Sequence, residues 1–357
     1  MDKIILYVIG IFFIVGAIDY LLGNKLNLGI KFEEGIKSMG GLAIGMVGIY
    51  SLAPIISKFL IKIIYPISKA GGFDPSIFPA SFFAVDMGGY NMSLQLAYSK
   101  PMALFSGIII ASTMGATLSF SIPVALGMIG KEDEIYFSKG TMVGIISIPV
   151  GCFAAGLLCN LNLKTLCWNL IPILIFDIIL TFFLLKLTSI TVKIFGYFGR
   201  LIIVLSIFGL AAEGVNSIFG IMIFKGLAPL SESAVIVLRI ALVLAGAYTM
   251  LEVINKIFKY RLEVMSERFK INSVSILCLI GNLASNLLVF SNYKEMNPKG
   301  KLICTAFAIS GAFVFGGQLG FVSAAAPNMI LPFVVAKLLS GIISIFMADV
   351  LYRYNKI

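Results

Sequence analysis

Eleven long apolar segments dominate the sequence and determine the class of fold that it can adopt. A helix needs about 20 apolar residues to cross the hydrocarbon core of a bilayer. The segments lie at 4–22, 38–63, 76–97, 102–129, 138–161, 167–187, 199–223, 234–258, 273–291, 302–325 and 328–351. Charged residues make up only 12% of the 357 residues, against about 25% in soluble domains. The sequence therefore predicts an all-α polytopic membrane protein with about 9–11 transmembrane helices.

The first apolar segment also has features of a secretory signal peptide, since a lysine precedes it. The run at 4–22 is long, contains Asp19 and is followed by no small-residue cleavage motif. We therefore interpret it as the first transmembrane span.

The composition excludes several kinds of functional site. The chain has no histidine, which removes histidine-based metal sites, proton relays and hydrolase triads. Its five cysteines lie in or beside apolar runs and form no C-x-x-C pair, so we interpret them as packing residues. The net charge of +10 suits loops beside anionic lipid better than nucleic acid. We expect no enzyme activity, no metal, no cofactor and no nucleic-acid partner.

Two short motifs recur at nearly the same spacing, which indicates an internal duplication. Residues 47–52 resemble 245–250 at an offset of 198, and residues 144–148 resemble 341–345 at an offset of 197. The prediction is three parts, which are membrane repeat 1 (1–165), a connecting transmembrane helix (166–196) and membrane repeat 2 (197–357).

The distribution of lysine and arginine indicates how these repeats are oriented. If every segment crosses the membrane, the basic residues divide almost equally between the two sides. If 76–97 and 273–291 enter and return to the same side, most basic residues fall on one side, as the positive-inside rule requires. The two repeats are then inverted, each with an interrupted or re-entrant segment, which is a common design in carriers.

Residues 82–91 place a carboxylate and two adjacent glycines inside an apolar segment. A charge at the bilayer centre costs roughly 2.5–3.5 kcal/mol, so Asp86 is a candidate for binding a cation. Gly88 and Gly89 permit irregular backbone close to a ligand, which membrane proteins tolerate where it lines a cavity. Tyr90 offers an aromatic face to an ammonium group. The alternative is that Asp86 pairs with a lysine or caps a broken helix.

Further polar side chains within the apolar segments are candidates for the same substrate-binding site. They are Ser112, Thr113, Thr117, Asn282, Asn286 and Gln318. The hydroxyl groups could contact a polar solute or only allow close helix packing. The two asparagines are four residues apart on one helix face and could bind a solute or each other. The glutamine follows a pair of glycines, which predicts a flexible break.

Three other acidic residues lie within or at the ends of the apolar segments. Asp19 and Glu213 occur near the ends of matching first spans, where we expect them to be solvated at the membrane interface. Asp177 lies among isoleucines and phenylalanines of the connecting span, and the sequence indicates no partner for it.

Nine short motifs occur in a fixed order along nearly the whole chain. They lie at 32–35, 39–54, 86–89, 121–127, 148–152, 169–172, 246–248, 283–286 and 319–321. Together they resemble the ethanolamine permease family, EutH, of bacterial ethanolamine utilisation. The resemblance implies a multi-pass protein of the bacterial cytoplasmic (inner) membrane that imports ethanolamine for catabolism and has no catalytic activity. Ethanolamine and the lipid bilayer are the implied partners, and a homo-oligomer is left open.

The proposed ligand suits the candidate residues, because ethanolamine is mostly a small ammonium at neutral pH with one hydroxyl. The chain departs from the family's pattern at Gly317-Gln318, where other members carry an acidic residue and a histidine. A proton-coupling role for that pair would not transfer to this chain.

Two alternative functions remain open at this point. The first is a carrier for another small amine or an amino acid. The second is a non-transporting membrane scaffold or sensor that recruits a cytoplasmic partner. In that case the basic stretch from Lys256 to Lys270, with Arg261 and Arg268, would be its docking loop.

Overall fold

The computed structural model describes residues 2–355, except for the side chains at 2, 3, 188, 189, 192, 258–265, 267, 268 and 355. All regular elements in this part of the chain are helical. Eight helices are long and apolar enough to cross a membrane, and they are Ile4–Leu21, Leu28–Gly71, Lys100–Met128, Lys131–Leu158, Leu163–Lys186, Lys193–Phe219, Leu230–Ile257 and Pro327–Tyr354. The predicted all-α polytopic class is confirmed, whereas the described residues contain eight such helices and not the predicted 9–11, because the apolar segments 76–97, 273–291 and 302–325 are broken into shorter helices.

The first half of the chain forms nine α-helices joined in places by wider or tighter helical turns. The helices are α1 (Asp2–Leu21), α2 (Leu28–Lys37), α3 (Met39–Leu42), α4 (Gly48–Gly71), α5 (Ile77–Phe82), α6 (Tyr90–Leu96), α7 (Lys100–Leu104), α8 (Ile122–Met128) and α9 (Glu134–Leu158). The π-helical stretches are Ala43–Val47, Val85–Gly89, Phe105–Gly115 and Thr117–Ser121, and Lys131–Asp133 is a 3-10 turn.

The second half forms eight further α-helices. They are α10 (Leu163–Lys186), α11 (Thr188–Phe219), α12 (Leu230–Phe269), α13 (Ser273–Gly281), α14 (Leu287–Ser291), α15 (Pro298–Ser310), α16 (Gly317–Ala325) and α17 (Ile330–Asn355). Two 3-10 turns, Tyr293–Glu295 and Pro327–Met329, complete the described elements.

Residues 74–98 form a hairpin, here called the first hairpin, in which α5 and α6 are joined by a non-helical tip. Its two ends meet at Asp74, a buried carboxylate. This carboxylate accepts hydrogen bonds from the backbone N–H groups of Ser76 and Tyr98, at 3.0 Å each. The chain therefore enters and leaves on the same side, which we call the first face.

Residues 272–297 form a second hairpin with the same construction, from α13 and α14. Asn272 joins its two ends, because the amide Nδ2 donates to the carbonyl of Glu295 at 2.6 Å and Oδ1 accepts from the Ser275 hydroxyl at 2.5 Å. Five of the membrane-spanning helices lie between the two hairpins. If all five cross the membrane, the second hairpin enters from the opposite side, which we call the second face.

The tip of each hairpin is hydrogen-bonded to a later part of the same half of the chain. The backbone N–H of Ala84 donates to the Ser119 hydroxyl at 3.1 Å. In the second half, the N–H of Phe313 donates to the carbonyl of Asn282 at 3.0 Å, in the break between α15 and α16. These bonds satisfy irregular backbone at membrane depth, which would otherwise be strongly unfavourable.

The acidic residues near the ends of α1 and α11 differ from the expectation. Asp19 is 4% exposed and accepts a hydrogen bond from the N–H of Leu28 at the start of α2, at 2.8 Å. Glu213 is 5% exposed and accepts from the N–H of Leu230 at the start of α12, at 3.2 Å. The predicted solvation is wrong because each carboxylate binds free N–H groups where the following helix begins. Asp177 is 3% exposed, and neither of its oxygens has a hydrogen-bond partner in the part that the structure describes.

Candidate functional site

A cavity of about 520 Å³ lies where the two hairpin tips approach each other. Both halves of the chain contribute to its wall, through residues within 37–46, 84–87, 116–120, 244–248, 284–287 and 313–318. Lys37, whose side chain is 71% exposed, belongs to this wall and lies in α2, which starts at the second face. The cavity therefore leads from the second face to the hairpin tips.

Asp86 lies in the wall of this cavity, at the tip of the first hairpin. The chain leaves α5 in an extended conformation at Phe83 (φ −116°, ψ 131°). It turns back through Met87 and Gly88, which have non-helical φ and ψ. This turn directs the carboxylate into the cavity, where it receives no hydrogen bond from any other residue in the described range.

The two glycines after Asp86 shape the tip and do not themselves line the cavity. Gly88 has a φ of +92°, which side chains of L-residues rarely adopt. A Cβ atom added at Gly89 would lie 2.3 Å from the carbonyl oxygen of Phe83. Both positions therefore require glycine for the backbone path that presents Asp86.

Tyr90 lies at the start of α6 and extends away from the cavity. Its hydroxyl donates to the carbonyl of Ala325 at 3.3 Å. Its ring packs edge-on against Phe321, with 5.6 Å between ring centroids. The residue therefore joins the first hairpin to α16 and is not part of the cavity wall.

Gln318 is the second candidate residue that lines the cavity. Its side chain is 4% exposed, and the carbonyl oxygen Oε1 has no hydrogen-bond partner in the described part of the chain. Aromatic rings complete the wall, with Phe120 and Phe313 in edge-to-face contact at 5.7 Å and Tyr248 beside them. The cavity therefore combines a carboxylate, an acceptor amide and aromatic faces.

The three hydroxyl candidates are buried outside the cavity wall. Ser112 and Thr113 both donate to the carbonyl of Ile109, at 3.1 and 2.7 Å. Thr117 donates to the carbonyl of Ile309 in the other half of the chain, at 2.8 Å. Ser112 and Thr113 thus satisfy a carbonyl of a wide π-helical turn, and Thr117 connects the two halves through a carbonyl of α15.

The prediction that the two asparagines share one helix face is wrong, because Asn282 follows the end of α13, Asn286 precedes the start of α14, and the non-helical tip of the second hairpin lies between them. Asn282 donates from Nδ2 to the carbonyl of Cys304 at 3.1 Å. Asn286 donates from Nδ2 to the hydroxyl of Ser121, at 2.8 Å, and so connects the two halves. Both are fully buried, and within the described residues the Oδ1 atom of each has no hydrogen-bond partner. Their neighbours Ala284 and Ser285 line the cavity in their place.

Lys337, in the first third of α17, was not among the residues predicted from the sequence. It is 1% exposed and has no hydrogen bond or ion pair with any described residue. It lies within electrostatic range of the Asp86 carboxylate and of Cys152. A lysine inside an apolar span, as at 328–351, was the signal that could have found it.

The glycine-rich wall of residues 38–46 was also missed. Gly41 and Gly45 line the cavity, and a Cβ atom at Gly41 would meet nothing within 4 Å. Glycine-rich apolar sequence also occurs in ordinary helix packing. The sequence alone therefore did not separate a cavity wall from a packed interface.

Comparisons with known proteins agree along almost the whole chain. The family described as "Ethanolamine utilisation protein, EutH" matches residues 1–351. The probable ethanolamine permease EutH of Listeria monocytogenes is 40% identical over 100% of this chain and 96% of its own length. The protein of that name from Salmonella typhimurium is 32% identical over 98% of this chain and 95% of its own. YxeR of Bacillus subtilis is 36% identical over 96% of this chain and 92% of its own length. No solved structure matches the chain significantly.

These relatives are bacterial, and the chain has eight helices able to span a membrane. It is therefore a multi-pass protein of the bacterial cytoplasmic membrane. With a family match over residues 1–351 and relatives up to 40% identical along the full chain, the protein belongs to the EutH family of ethanolamine utilisation proteins.

Proposed function

We propose that the protein imports ethanolamine, in its protonated form, across the cytoplasmic membrane for catabolism. The observation that carries the proposal is the Asp86 carboxylate in the wall of a membrane-embedded cavity, with no hydrogen bond from another described residue. An anion in such a place favours a cation nearby, because opposite charges interact more strongly away from bulk water. The names of two relatives, probable ethanolamine permeases, support the same substrate.

The other groups of the cavity suit the remainder of the ligand. With the ammonium group on Asp86, the hydroxyl of ethanolamine has an acceptor in the unpartnered Oε1 of Gln318. The rings of Phe120 and Tyr248 offer faces to the cation. The cavity is larger than a four-atom ligand requires, so we expect water to share it with the substrate.

We propose that transport follows from relative movement of two repeats, 1–165 and 197–357. Asp86 comes from the first and Gln318 from the second, so movement between them would alter the site. One detail of the structure supports this division. Asp74 and Asn272, which close the two hairpins, stand at the sequence offset of the recurring motifs.

The proposal is tested by uptake of labelled ethanolamine into liposomes that contain the purified protein. An acidic external pH keeps passive leakage of the neutral amine low. Saturable uptake above that of empty liposomes would support a carrier. No uptake by protein that remains folded in the same membranes would refute the proposal.

A carrier for another small amine or an amino acid is the alternative within the same class. Asp86 is the single carboxylate among the described residues of the cavity wall, and the ammonium group of Lys37 is paired with Glu33 at 2.7 Å. The wall therefore favours a ligand with a net positive charge over a zwitterion. Competition of labelled ethanolamine with unlabelled alkylamines and amino acids separates these substrates. Uptake that amino acids suppress and ethanolamine does not would favour the alternative.

The scaffold alternative depends on the basic stretch from Lys256 to Lys270. The side chains of Arg261 and Arg268 lie outside the described residues. Lys256 is described, and its ammonium group donates to the carbonyl of Leu26 at 2.5 Å. Charge reversal at Arg261 and Arg268 should leave uptake unchanged if the protein is a carrier.

A further inference from the structure

The first face is closed beyond Asp86 by contacts between the two halves of the chain. The Tyr50 hydroxyl, in α4, donates to the Glu232 carboxylate in the first turn of α12, at 3.3 Å. Tyr50 is only 8% exposed. The Tyr90–Ala325 hydrogen bond lies beside this contact and also joins the halves. The cavity thus opens to the second face while the first face is shut.

A second tyrosine–glutamate pair occurs at the corresponding positions on the open side. Tyr248 and Glu34 are related to Tyr50 and Glu232 by the offset of 198 residues, with the roles of the two halves exchanged. Tyr248 lies in the cavity wall and within electrostatic range of Glu34. No hydrogen bond joins Tyr248 to Glu34 in the described structure. Glu34 instead forms an ion pair with Lys31, with 2.7 Å between Nζ and Oε2.

We infer that the two tyrosine–glutamate pairs are alternating latches, Tyr50–Glu232 closing the first face and Tyr248–Glu34 closing the second. The structure then corresponds to the state open to the second face, with one latch formed and the other released. In the opposite state the Tyr50 hydroxyl leaves Glu232, and the Tyr248 hydroxyl donates to Glu34. The inference rests on the proposed carrier function and adds to it the residues that control access.

The two latches are chemically equivalent, because each is a hydrogen bond from a tyrosine hydroxyl to a glutamate carboxylate. A hydrogen bond to a charged group contributes enough to shift a two-state equilibrium by about tenfold. Because each latch belongs to a different state, removing one favours the state that the other stabilises. Lys31 competes with Tyr248 for Glu34, so it favours the open second face.

The test measures access to the cavity, not transport. Ser285, which lines the cavity, is changed to cysteine in a variant that carries Cys159→Ser and Cys167→Ser. The other three cysteines, Cys152, Cys278 and Cys304, are buried. A membrane-impermeant maleimide is then added to one face at a time in oriented vesicles without substrate.

We expect labelling from the second face in this parent variant. Tyr50→Phe should increase the labelling rate from the first face by about tenfold, because the donor of the first latch is lost. Glu232→Gln should increase it less, because the amide oxygen still accepts from Tyr50 but carries no charge. Lys31→Ala should slow labelling from the second face, because it frees Glu34 for Tyr248. Adding Tyr248→Phe to Lys31→Ala should restore the parent rates.

The exposed ion pair between Lys294 and Glu132 provides matched controls. Lys294→Ala removes a positive charge, as Lys31→Ala does, and Glu132→Gln removes a negative charge, as Glu232→Gln does. Because this pair belongs to neither latch, the labelling rates from both faces should stay at the parent values. Gel filtration of each variant in detergent establishes that it remains folded.

Unchanged labelling from both faces in folded Tyr50→Phe and Lys31→Ala variants would overturn the latch inference. An equal change in the Lys294 and Glu132 controls would overturn it as well. The outcome is separate from the proposed substrate. If the latch variants redirect labelling while ethanolamine uptake is absent, access control stands and the substrate assignment fails.

Discussion

Gly89→Ala should distort the tip of the first hairpin and so displace Asp86. The added Cβ atom would lie 2.3 Å from the carbonyl oxygen of Phe83, 2.8 Å from that of Ala84 and 2.9 Å from the Cβ of Ala111. Two of these neighbours are backbone atoms, so no side-chain rotation relieves the overlap. Overpacking of this kind typically costs about 1–3 kcal/mol. We expect lower stability and a tenfold or greater loss of ethanolamine uptake.

The assay pairs a thermal unfolding measurement in detergent with initial uptake rates in liposomes. Gly40→Ala is the matched control, because an added Cβ at Gly40 meets nothing within 4 Å. Alanine in place of glycine in a helix is neutral or stabilises by up to about 1 kcal/mol. Wild-type stability and uptake in Gly89→Ala would refute the account of a rigid tip that positions the carboxylate.

Two further substitutions test the roles of buried polar residues. Thr117→Val removes the hydroxyl that donates to Ile309 at 2.8 Å, so it should cost about 1 kcal/mol of stability and leave the KM for ethanolamine unchanged. A raised KM with unchanged stability would place Thr117 in the binding site instead. Lys337→Met removes the buried ammonium near Asp86, so ethanolamine should bind several-fold more tightly in equilibrium binding. Weaker binding would show that Lys337 assists the cation site and does not compete for it.

The class of fold was predictable because it depends on local hydrophobicity. Each long apolar segment must be covered by lipid or protein whatever its neighbours are, so the membrane class follows from composition. The number of spans does not, because 76–97, 273–291 and 302–325 are each divided into shorter helices in the described structure. The segments 76–97 and 273–291 were separable from spanning helices by the placement of lysine and arginine. Their ends meet at Asp74 and Asn272 in the structure.

The position of Asp86 was predictable for a related reason. Few environments inside a membrane accommodate a carboxylate at low free-energy cost, and the wall of a polar cavity is one of them. The structure places Asp86 in such a wall, together with Gln318.

The partners of the hydroxyl groups were not predictable, because several acceptors lie within reach of each one. Ser112 and Thr113 donate to the carbonyl of Ile109 in the preceding turn. The sequence does not indicate which backbone carbonyl a wide π-helical turn leaves without a partner. The hydroxyl-rich segment that begins at Ser112 was therefore interpreted as a candidate binding surface.

The burial of Asp19 and Glu213 shows a second limit. Both residues lie near helix ends, where carboxylates are commonly solvated. Here the chain returns over each of them, and the N–H groups of Leu28 and Leu230 donate to the carboxylates. The shape of the cavity was not predictable for the same reason, because its wall combines parts of the chain that lie more than 200 residues apart. Contacts of this range leave little trace in a single sequence.

The most direct test of the account is equilibrium binding of labelled ethanolamine to the purified wild-type protein and to Asp86→Asn. Two unit charges 4 Å apart interact by about 4 kcal/mol at an effective dielectric constant near 20, which corresponds to nearly a thousandfold in affinity. After the cost of desolvation, we predict at least a hundredfold weaker binding in Asp86→Asn and wild-type affinity in Glu132→Gln. Wild-type affinity in folded Asp86→Asn would contradict the assignment of Asp86 as the cation site.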